Sequence, residues 1–398
     1  MVLQAFQVRL YPNATQKQLI HMTFGSTRFV WNQMLNMLIE RYRNNPKCGF
    51  LSTYDRDALL PALKREYPWL KLVDSTALQR VNRDLTDAYK RFFDKTLSNR
   101  FPRFKSKRNN HRSYTSKLVG KNIEVLDQHH LKLPKLGKVY FRAGRILNGK
   151  IHTVTVSINP QGQYSATILL ECDDPIPLPL THQKVGLDLG LKQLITLSNG
   201  VSVPLTRYDR KLARRLRRWE RKLARRLRNA KQAMAEDRHK KVLNPRTELW
   251  QFPRYQQARK TVAKIKRQIA ARRLDNLQKL TTQLVREYDV LVVEKLSVKN
   301  LMKNHRLARS IANAAWGTLV RLLTYKFEWA GKQLIVVNPK STSRICHVCQ
   351  QKNTDFDGLS THEWLAVRDW QCPNCQTTLD RDINAALNIK QRGLALVD

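Results

Sequence analysis

Four cysteines and three carboxylates are the residues of this chain whose types and spacing could do chemistry. Cys346 and Cys349 form one Cys-x-x-Cys pair, Cys372 and Cys375 form another, and the second begins 23 positions after the first ends. Four thiolates so arranged can close round one tetrahedral Zn²⁺, at an interval a little beyond the usual 15 to 20 or so residues. Such a site supplies about 10 to 16 kcal/mol of binding energy that is also folding energy, so it can order a segment too polar to build its own core. The acids sit in apolar settings: Asp188 within Lys184-Val-Gly-Leu-Asp188-Leu-Gly190, Glu294 at the end of Asp289-Val-Leu-Val-Val-Glu294, and Asp382 in Asp380-Arg-Asp382-Ile-Asn384-Ala-Ala-Leu-Asn-Ile389. A carboxylate in an apolar strand is costly unless it is paired or metal-bound. Bare carboxylates brought together repel, and hard divalent cations relieve the repulsion. Singly, each acid also reads as a structural hydrogen-bond or salt-bridge partner. Three of them in such contexts on one basic chain favour a metal site.

Composition narrows the partner. In 398 residues there are 73 Lys and Arg against 31 acids, a net charge of +42. A pI near 10.5 calls for a polyanion, and nucleic acid gripped through its phosphates fits best. No apolar run approaches the 20 or so residues that span a bilayer, and Met1-Val-Leu-Gln-Ala-Phe-Gln-Val-Arg-Leu10 lacks the parts of a signal peptide. The expectation is a soluble cytoplasmic chain, nucleoid-associated in a prokaryote, with no membrane and no small-molecule substrate. Cys48 and Cys172 stand alone, which suits zinc in a reducing compartment better than a disulfide framework.

The elements that must position these groups can be read in order. Phe6-Gln-Val-Arg-Leu10 alternates as a half-buried strand does, and Tyr11-Pro12-Asn13 ends it. Thr15 and Gln18 fit a capping box, and apolar residues from Leu19 to Leu38 predict a helix to about Arg43. Asp74-Ser75-Thr76 can cap a second long helix through Leu78, Val81, Leu85, Tyr89 and Phe92. Its other face carries Gln79, Arg80, Asn82, Arg83 and Lys90, a face for reading bases or phosphates or one that is simply solvated. Ser75, Gln79 and Arg83 are the candidates for duplex contact on that face. In Arg100-Phe-Pro-Arg-Phe-Lys-Ser-Lys-Arg108 aromatic rings interleave with cations, which reads either as phosphate contact with stacking, through Arg103, Lys105 and Lys107, or as a solvated basic linker. From Ser113 to Glu171 the period turns to two, and Ile151–Ile158 and Tyr164–Leu170 read as a hairpin across Asn159-Pro160-Gln161-Gly162, suggesting a small barrel that the first strand could join. Proline-rich Asp173 to Pro179 reads as a linker. Beyond it, Arg207 to Ala230 carries a Leu and Trp stripe amid arginines, and a stripe through Val262, Ile265 and Ile269 pairs with it as a helical hairpin. Lys332-Gln-Leu-Ile-Val-Val337 reads as one more buried strand.

Strand Asp188, strand-end Glu294 and helix-start Asp382 follow the order of the metal-binding carboxylates in RNase H-like folds, a mixed sheet flanked by helices. There, two Mg²⁺ about 3.5 to 4 Å apart would activate a water and stabilise the leaving 3′ oxygen of a phosphodiester. Val185-Gly-Leu-Asp188-Leu-Gly190, Val293-Glu-Lys-Leu-Ser-Val-Lys-Asn-Leu301, the paired knuckles and Asp380–Ile389 together resemble TnpB, the transposon-encoded RNA-guided DNA endonucleases related to type V CRISPR effectors. Val8-Arg-Leu-Tyr-Pro12, Phe101–Lys107 and Arg306-Leu-Ala-Arg-Ser-Ile-Ala-Asn-Ala-Ala-Trp-Gly317 are also TnpB-like. The resemblance implies an α/β and β multi-domain chain. Residues 1–14 and 106–180 would form a wedge β-barrel domain and 15–105 an inserted helical recognition domain. Residues 181–340 and 378–398 would form an RNase H-like RuvC nuclease domain, including the basic hairpin 207–285, with 341–377 a zinc-finger insertion of the zinc-ribbon kind. It implies Asp188, Glu294 and Asp382 as the catalytic acids on Mg²⁺, Asp382 being preferred to Asp380 for its Asp-x-Asn-Ala-Ala context. It implies structural Zn²⁺ on the four cysteines, Arg344 as a helper on the scissile phosphate, and a lid-like segment from about Asn300 to Asn313. The implied partners are a guide RNA from the transposon end and a double-stranded DNA target beside a short adjacent motif. Three departures stand out: Gln350 and Gln376 follow the knuckles where glycine is usual, and Leu379 stands where histidine often precedes Asp-Arg-Asp. Two other readings remain, a DNA-binding regulator, RNA-guided or unguided, that does not cut, and a cut-and-paste transposase. The latter typically presents its acids in the order Asp, Asp, Glu, whereas the order here is Asp, Glu, Asp.

Overall fold

The computed structural model describes residues 1–107, 112–305, 307–359, 363 and 366–397. Arg108 of the basic stretch, Arg306 of the lid-like segment, residues 360–362, 364 and 365 of the zinc segment, and terminal Asp398 therefore lie outside the described residues, as do 109–111. The chain forms two compact units, Met1–Asp174 and Pro175–Asp398, dividing inside the proline-rich linker.

In the first unit, strand β1 (Val2–Tyr11) is followed by helices α1 (Ala14–Asn44), α2 (Thr53–Ala58), α3 (Leu60–Glu66) and α4 (Ser75–Phe93). Strands β2 (Arg112–Lys117), β3 (Glu124–Asp127), β4 (His130–Leu133), β5 (Gly137–Arg142), β6 (Lys150–Ile158) and β7 (Tyr164–Cys172) complete it. The strands order as β2-β6-β7-β1-β5-β4-β3, so all four helices intervene between two strands of one sheet. The capping box of α1 lies two residues before the expected one. Asn13 accepts from the Gln16 amide at 2.8 Å and Gln16 accepts from the Asn13 amide at 3.0 Å, because Pro12 has already ended the strand and Thr15 is inside the helix. Phe6, Val8, Leu10, Leu131, Val139, Phe141, Val154, Val156, Ile168 and Leu170 share one core with Ile20 and Phe24. Six flat inter-strand spacings would spread over about 29 Å, so a single core on one face requires the sheet to curl. The ladder does not close, since β2 and β3 form no pair among the described residues; the expected barrel is an open one.

The second unit is a five-stranded sheet ordered β10-β9-β8-β11-β12. Its strands are β8 (Lys184–Leu189), β9 (Gln193–Leu197), β10 (Ser202–Pro204), β11 (Val290–Glu294) and β12 (Gln333–Val337). Between β10 and β11 run α5 (Ala213–His239) and α6 (Pro253–Glu287), and between β11 and β12 run α7 (Val298–Leu301), α8 (Ala308–Ala314) and α9 (Trp316–Trp329). After β12 come β13 (Asp369–Gln371), β14 (Thr378–Asp380) and a last helix α10 (Arg381–Leu394). Strand β11 runs parallel to both β8 and β12, as crossovers through helices demand. Val185, Leu187, Leu189, Leu291 and Val293 pack on the face covered by α6, α8 and α9. The alternate residues face α10, where Val292 and Val337 meet Ile389.

Two readings of the sequence are corrected here. The helix expected from Arg207 starts at Ala213, because Arg207 to Leu212 turns around the buried Asp209. Strand β12 is not buried throughout: it is the sheet's edge, and Val336 keeps 45% of its surface exposed. Apolar composition cannot distinguish a central strand from an edge strand partly covered by its neighbours.

Candidate active site

The parallel register sets Leu187 beside Val293, so the next residues, Asp188 and Glu294, project side by side from adjacent strand ends on the α10 face. The two carboxyl groups are within hydrogen-bonding reach of each other. Burial pushes Asp188 up to about 7, helped by the charge of Asp382. Burial and the charge of Asp188 push Glu294 up to about 8. One proton shared between buried Glu294 and half-buried Asp188 is the alternative to a cation there.

Helix α10 brings the third acid. It lies against β8 and β11 so closely that a Cβ on Gly186 of β8 would meet the Ala386 carbonyl oxygen, and one on Gly393 would meet the Val292 side chain of β11. Only glycine permits that approach, and the approach sets the helix start over the strand ends. The roles of the two neighbouring acids separate there. Asp380 is the N-cap, accepting from the amides of Asp382 at 2.9 Å and Ile383 at 2.8 Å. Asp382 is left for other work and is held by Arg381 at 2.9 Å and by Arg368 at 3.2 Å.

The four cysteines converge. Their sulfurs all lie within 4.8 Å of one another, with Cys346 to Cys375 and Cys349 to Cys372 both at 3.6 Å. Among the described residues this is the one tight cluster of three or more ligand atoms, and it fits a single Zn²⁺. Gln350 and Gln376 take the left-handed backbone that glycine usually supplies, with φ of 60° and 56°. Each side chain donates to the carbonyl three residues back, Gln350 to His347 at 2.9 Å and Gln376 to Pro373 at 3.1 Å. Leu379 is buried with Trp370 and Phe356 in the small core beneath the knuckles.

Sequence reading gave no role to the residues that join this ribbon to α10. Asn384 accepts from the His347 amide at 2.9 Å and donates to the Ile345 carbonyl at 2.8 Å, while Asn388 donates to Thr342 at 2.8 Å and Ile345 at 2.7 Å. Two asparagines four residues apart on the buried face of an apolar helix were the available signal. Arg368 and Asp209 were also passed over. Asp209 is 8% exposed and held down to about 2 by Asn313, Arg309 and Arg207, whose bonds outweigh its burial. It thereby ties α8, in the segment expected to be lid-like, to the turn before α5.

Arg344 sits just before the first knuckle and pairs with Asp357 at 3.4 Å. Ser75, Gln79 and Arg83 line one exposed stripe of α4, and Ser75 accepts from Lys64 at 2.8 Å. Asn82, counted on that face, is buried and donates to Asp57 at 2.7 Å. Arg103, Lys105 and Lys107 are exposed, yet the stretch is no free linker. Trp31 donates to the Arg103 carbonyl at 3.0 Å, Asn32 holds both backbone groups of Lys105, and the Lys105 ammonium lies 3.7 Å over the Trp31 ring.

Known proteins share this architecture. Residues 167–305 match a family model described as "Probable transposase", residues 316–389 match "Cas12f1-like, TNB domain", and residues 1–47 match "Helix-turn-helix domain", although they fold as one strand and one long helix. A "Putative RNA-guided DNA endonuclease" of Streptomyces pristinaespiralis is 32% identical over 401 residues, covering 99% of this chain and 90% of the relative. A "Putative RNA-guided DNA endonuclease InsQ" of Escherichia coli K12 is 29% identical over 418 residues, covering 99% and 93%. Among solved structures, a Cas12f1 in complex with sgRNA and target DNA shares the fold, with a TM-score of 0.52 at 10% identity over 98% of each chain. A relative this similar along nearly its whole length is decisive, and the chain belongs to the TnpB family, the IS605 OrfB group.

Proposed function

We propose that this chain is an RNA-guided DNA endonuclease whose cutting centre is Asp188, Glu294 and Asp382. The observation that carries the reading is the pair of carboxyls at neighbouring strand ends, Glu294 buried and Asp188 half-buried, both raised above the ordinary carboxylate range, with a third acid brought to them by α10. Neighbouring acids that repel fit a divalent cation, whose arrival would displace the shared proton. Mg²⁺, two ions in the full reading, would supply Lewis acidity and charge neutralisation at the phosphodiester. Asp188 and Glu294 would then act as ionised ligands, and Asp382 would join them as Arg368 and Arg381 release it. Arg344, delivered on the zinc ribbon, would meet the scissile phosphate. The zinc itself holds structure, through the ribbon that Asn384 and Asn388 fasten to α10.

In this reading 181–340 and 378–398 are the RuvC nuclease domain with its zinc-ribbon insertion 341–377. Residues 1–14 and 106–180 are the wedge and 15–105 the recognition region. A guide RNA pairs with the target strand, so the protein needs to read only heteroduplex shape and a short adjacent motif. The names of the relatives and the charge of +42 support those partners.

The test is to purify the chain with its neighbouring DNA expressed, sequence the RNA that stays bound, and assay cleavage of a matching duplex with Mg²⁺. One defined RNA, and cutting that is abolished in Asp188→Ala, are expected; heterogeneous RNA, or equal cutting by the variant, would overturn the proposal. The pairing of Asp382 with two arginines favours one rival, a guided binder that does not cut. It predicts guide-dependent target binding with no cleavage at any Mg²⁺ concentration.

A further inference from the structure

A cavity of about 500 Å³ opens on the sheet face opposite α10, at the same strand ends that carry the acids. Leu189, the residue after Asp188, lines it, as does Glu294. Its walls are apolar and aromatic, from Leu296, Val298, Trp316, Val320, Tyr325 and Val336, and its rim carries the cations Lys295 and Arg321. Neither cation has an acid partner among the described residues, and both are exposed. Gly317 also lines it, in the first turn of α9, where a Cβ would meet nothing within 4 Å. Glycine in a helix costs about 1 kcal/mol relative to alanine, so one that no packing requires points to space kept for something else.

We propose that this cavity is a nucleobase subsite, which takes one unstacked base of the single strand whose phosphate is presented to Asp188 and Glu294. The proposal rests on the nuclease reading and adds to it a second grip on the substrate. An apolar, aromatic-walled hollow suits the faces of a base, and cations at its mouth suit the flanking phosphates. Glu294, at the end of β11, borders both the hollow and the acid pair, so adjacent nucleotides of one single strand can reach the two. Holding a base there would fix the register of the scissile phosphate without selecting a sequence, since every base has a π face.

The experiment uses the full chain loaded with its guide RNA and two probes of equal charge, a thymidine decanucleotide and a decamer of abasic residues. With Asp188→Ala protein, the base-bearing probe should bind about tenfold more tightly, the scale of one base stacked on protein. Filling the hollow with Gly317→Phe, or from the exposed edge strand with Val336→Trp, should remove most of that difference and leave abasic binding unchanged. A preference that survives both substitutions, or no preference at all, would overturn the subsite. Cleavage by wild-type complex of single strands with one abasic residue walked along them separates the two readings. Cutting that ignores the abasic position sinks the subsite and leaves the nuclease standing. No cutting, with base preference still lost in Gly317→Phe, sinks the nuclease and leaves the subsite.

Discussion

Asp188 and Glu294 hold in the free chain protons that the unfolded chain would release, since both values lie above the ordinary 3.8 and 4.5. The sign follows by linkage: without divalent cations, stability is fullest below about pH 4 and falls as pH rises through about 7 and 8. Asp188→Asn removes the repulsion and should be more stable than wild type by about 1 to 3 kcal/mol at pH 8 in chelator, read by denaturant titration. A wild-type stability flat between pH 5 and 8 would sink the shared proton. The left-handed glutamines balance differently. Gln350→Gly trades about 1 kcal/mol of backbone ease for the lost bonds to the His347 carbonyl and, at 2.7 Å, the exposed Gln391 side chain, so it should cost no more than about 1 kcal/mol. Gln350→Ala keeps the strain and loses both bonds, and should cost about 1 to 2 kcal/mol and weaken Zn²⁺ in a chelator competition. These knuckle positions were legible as departures in the sequence, but the compensating side-chain bonds were not, because a glutamine's rotamer depends on which carbonyl the folded knuckle presents.

Strand identity was legible wherever burial alternates, as in Phe6, Val8 and Leu10, and the carboxylates on β8 and β11 were visible as acids in apolar runs. What the sequence hid was which element touches which. The cap of α1 shifted to Asn13 because Pro12 fixes the backbone before it, and β12 proved an edge because nothing among the described residues pairs beyond it. Lys105 looked free for phosphate because its ring partner, Trp31, lies 74 positions away in sequence but directly beneath it in space. Asn384 is the sharpest case of an element joint, since one amide side chain fastens the backbone on both sides of Cys346 to α10. Asn384→Ala leaves the His347 amide without this acceptor and should cost about 1 to 3 kcal/mol. Zinc content should stay near one ion per chain, while protease cutting around 341–377 should rise severalfold. Unchanged protease resistance would mean that Asn388 alone fastens the ribbon.

At the scale of the molecule the charge has a structure of its own. Arg214, Arg217, Arg218 and Arg221 fall on one side of α5 and line one hollow, while Glu220, the nearest acid, turns to Lys266 on α6 at 2.8 Å. Like charges three and four residues apart destabilise a helix by a few tenths of a kcal/mol per pair, so this stripe is a cost to the free chain. It becomes a gain only when phosphates lie along it, because each neutralised phosphate releases a condensed counterion. Replacing all four by Gln should therefore do two opposite things. The free protein should become more stable by about 1 kcal/mol, because the repulsion is gone. Its affinity for guide RNA should fall, and the slope of log affinity against log salt should flatten by up to about 3 units, since each lost phosphate contact contributes roughly 0.7 to 0.9. A variant that loses stability, or keeps the full salt slope, would mean that these arginines pack the hairpin and that the polyanion lies elsewhere on the chain. Both readouts come from the same four side chains, so a gain in one with a loss in the other separates a binding stripe from a structural one.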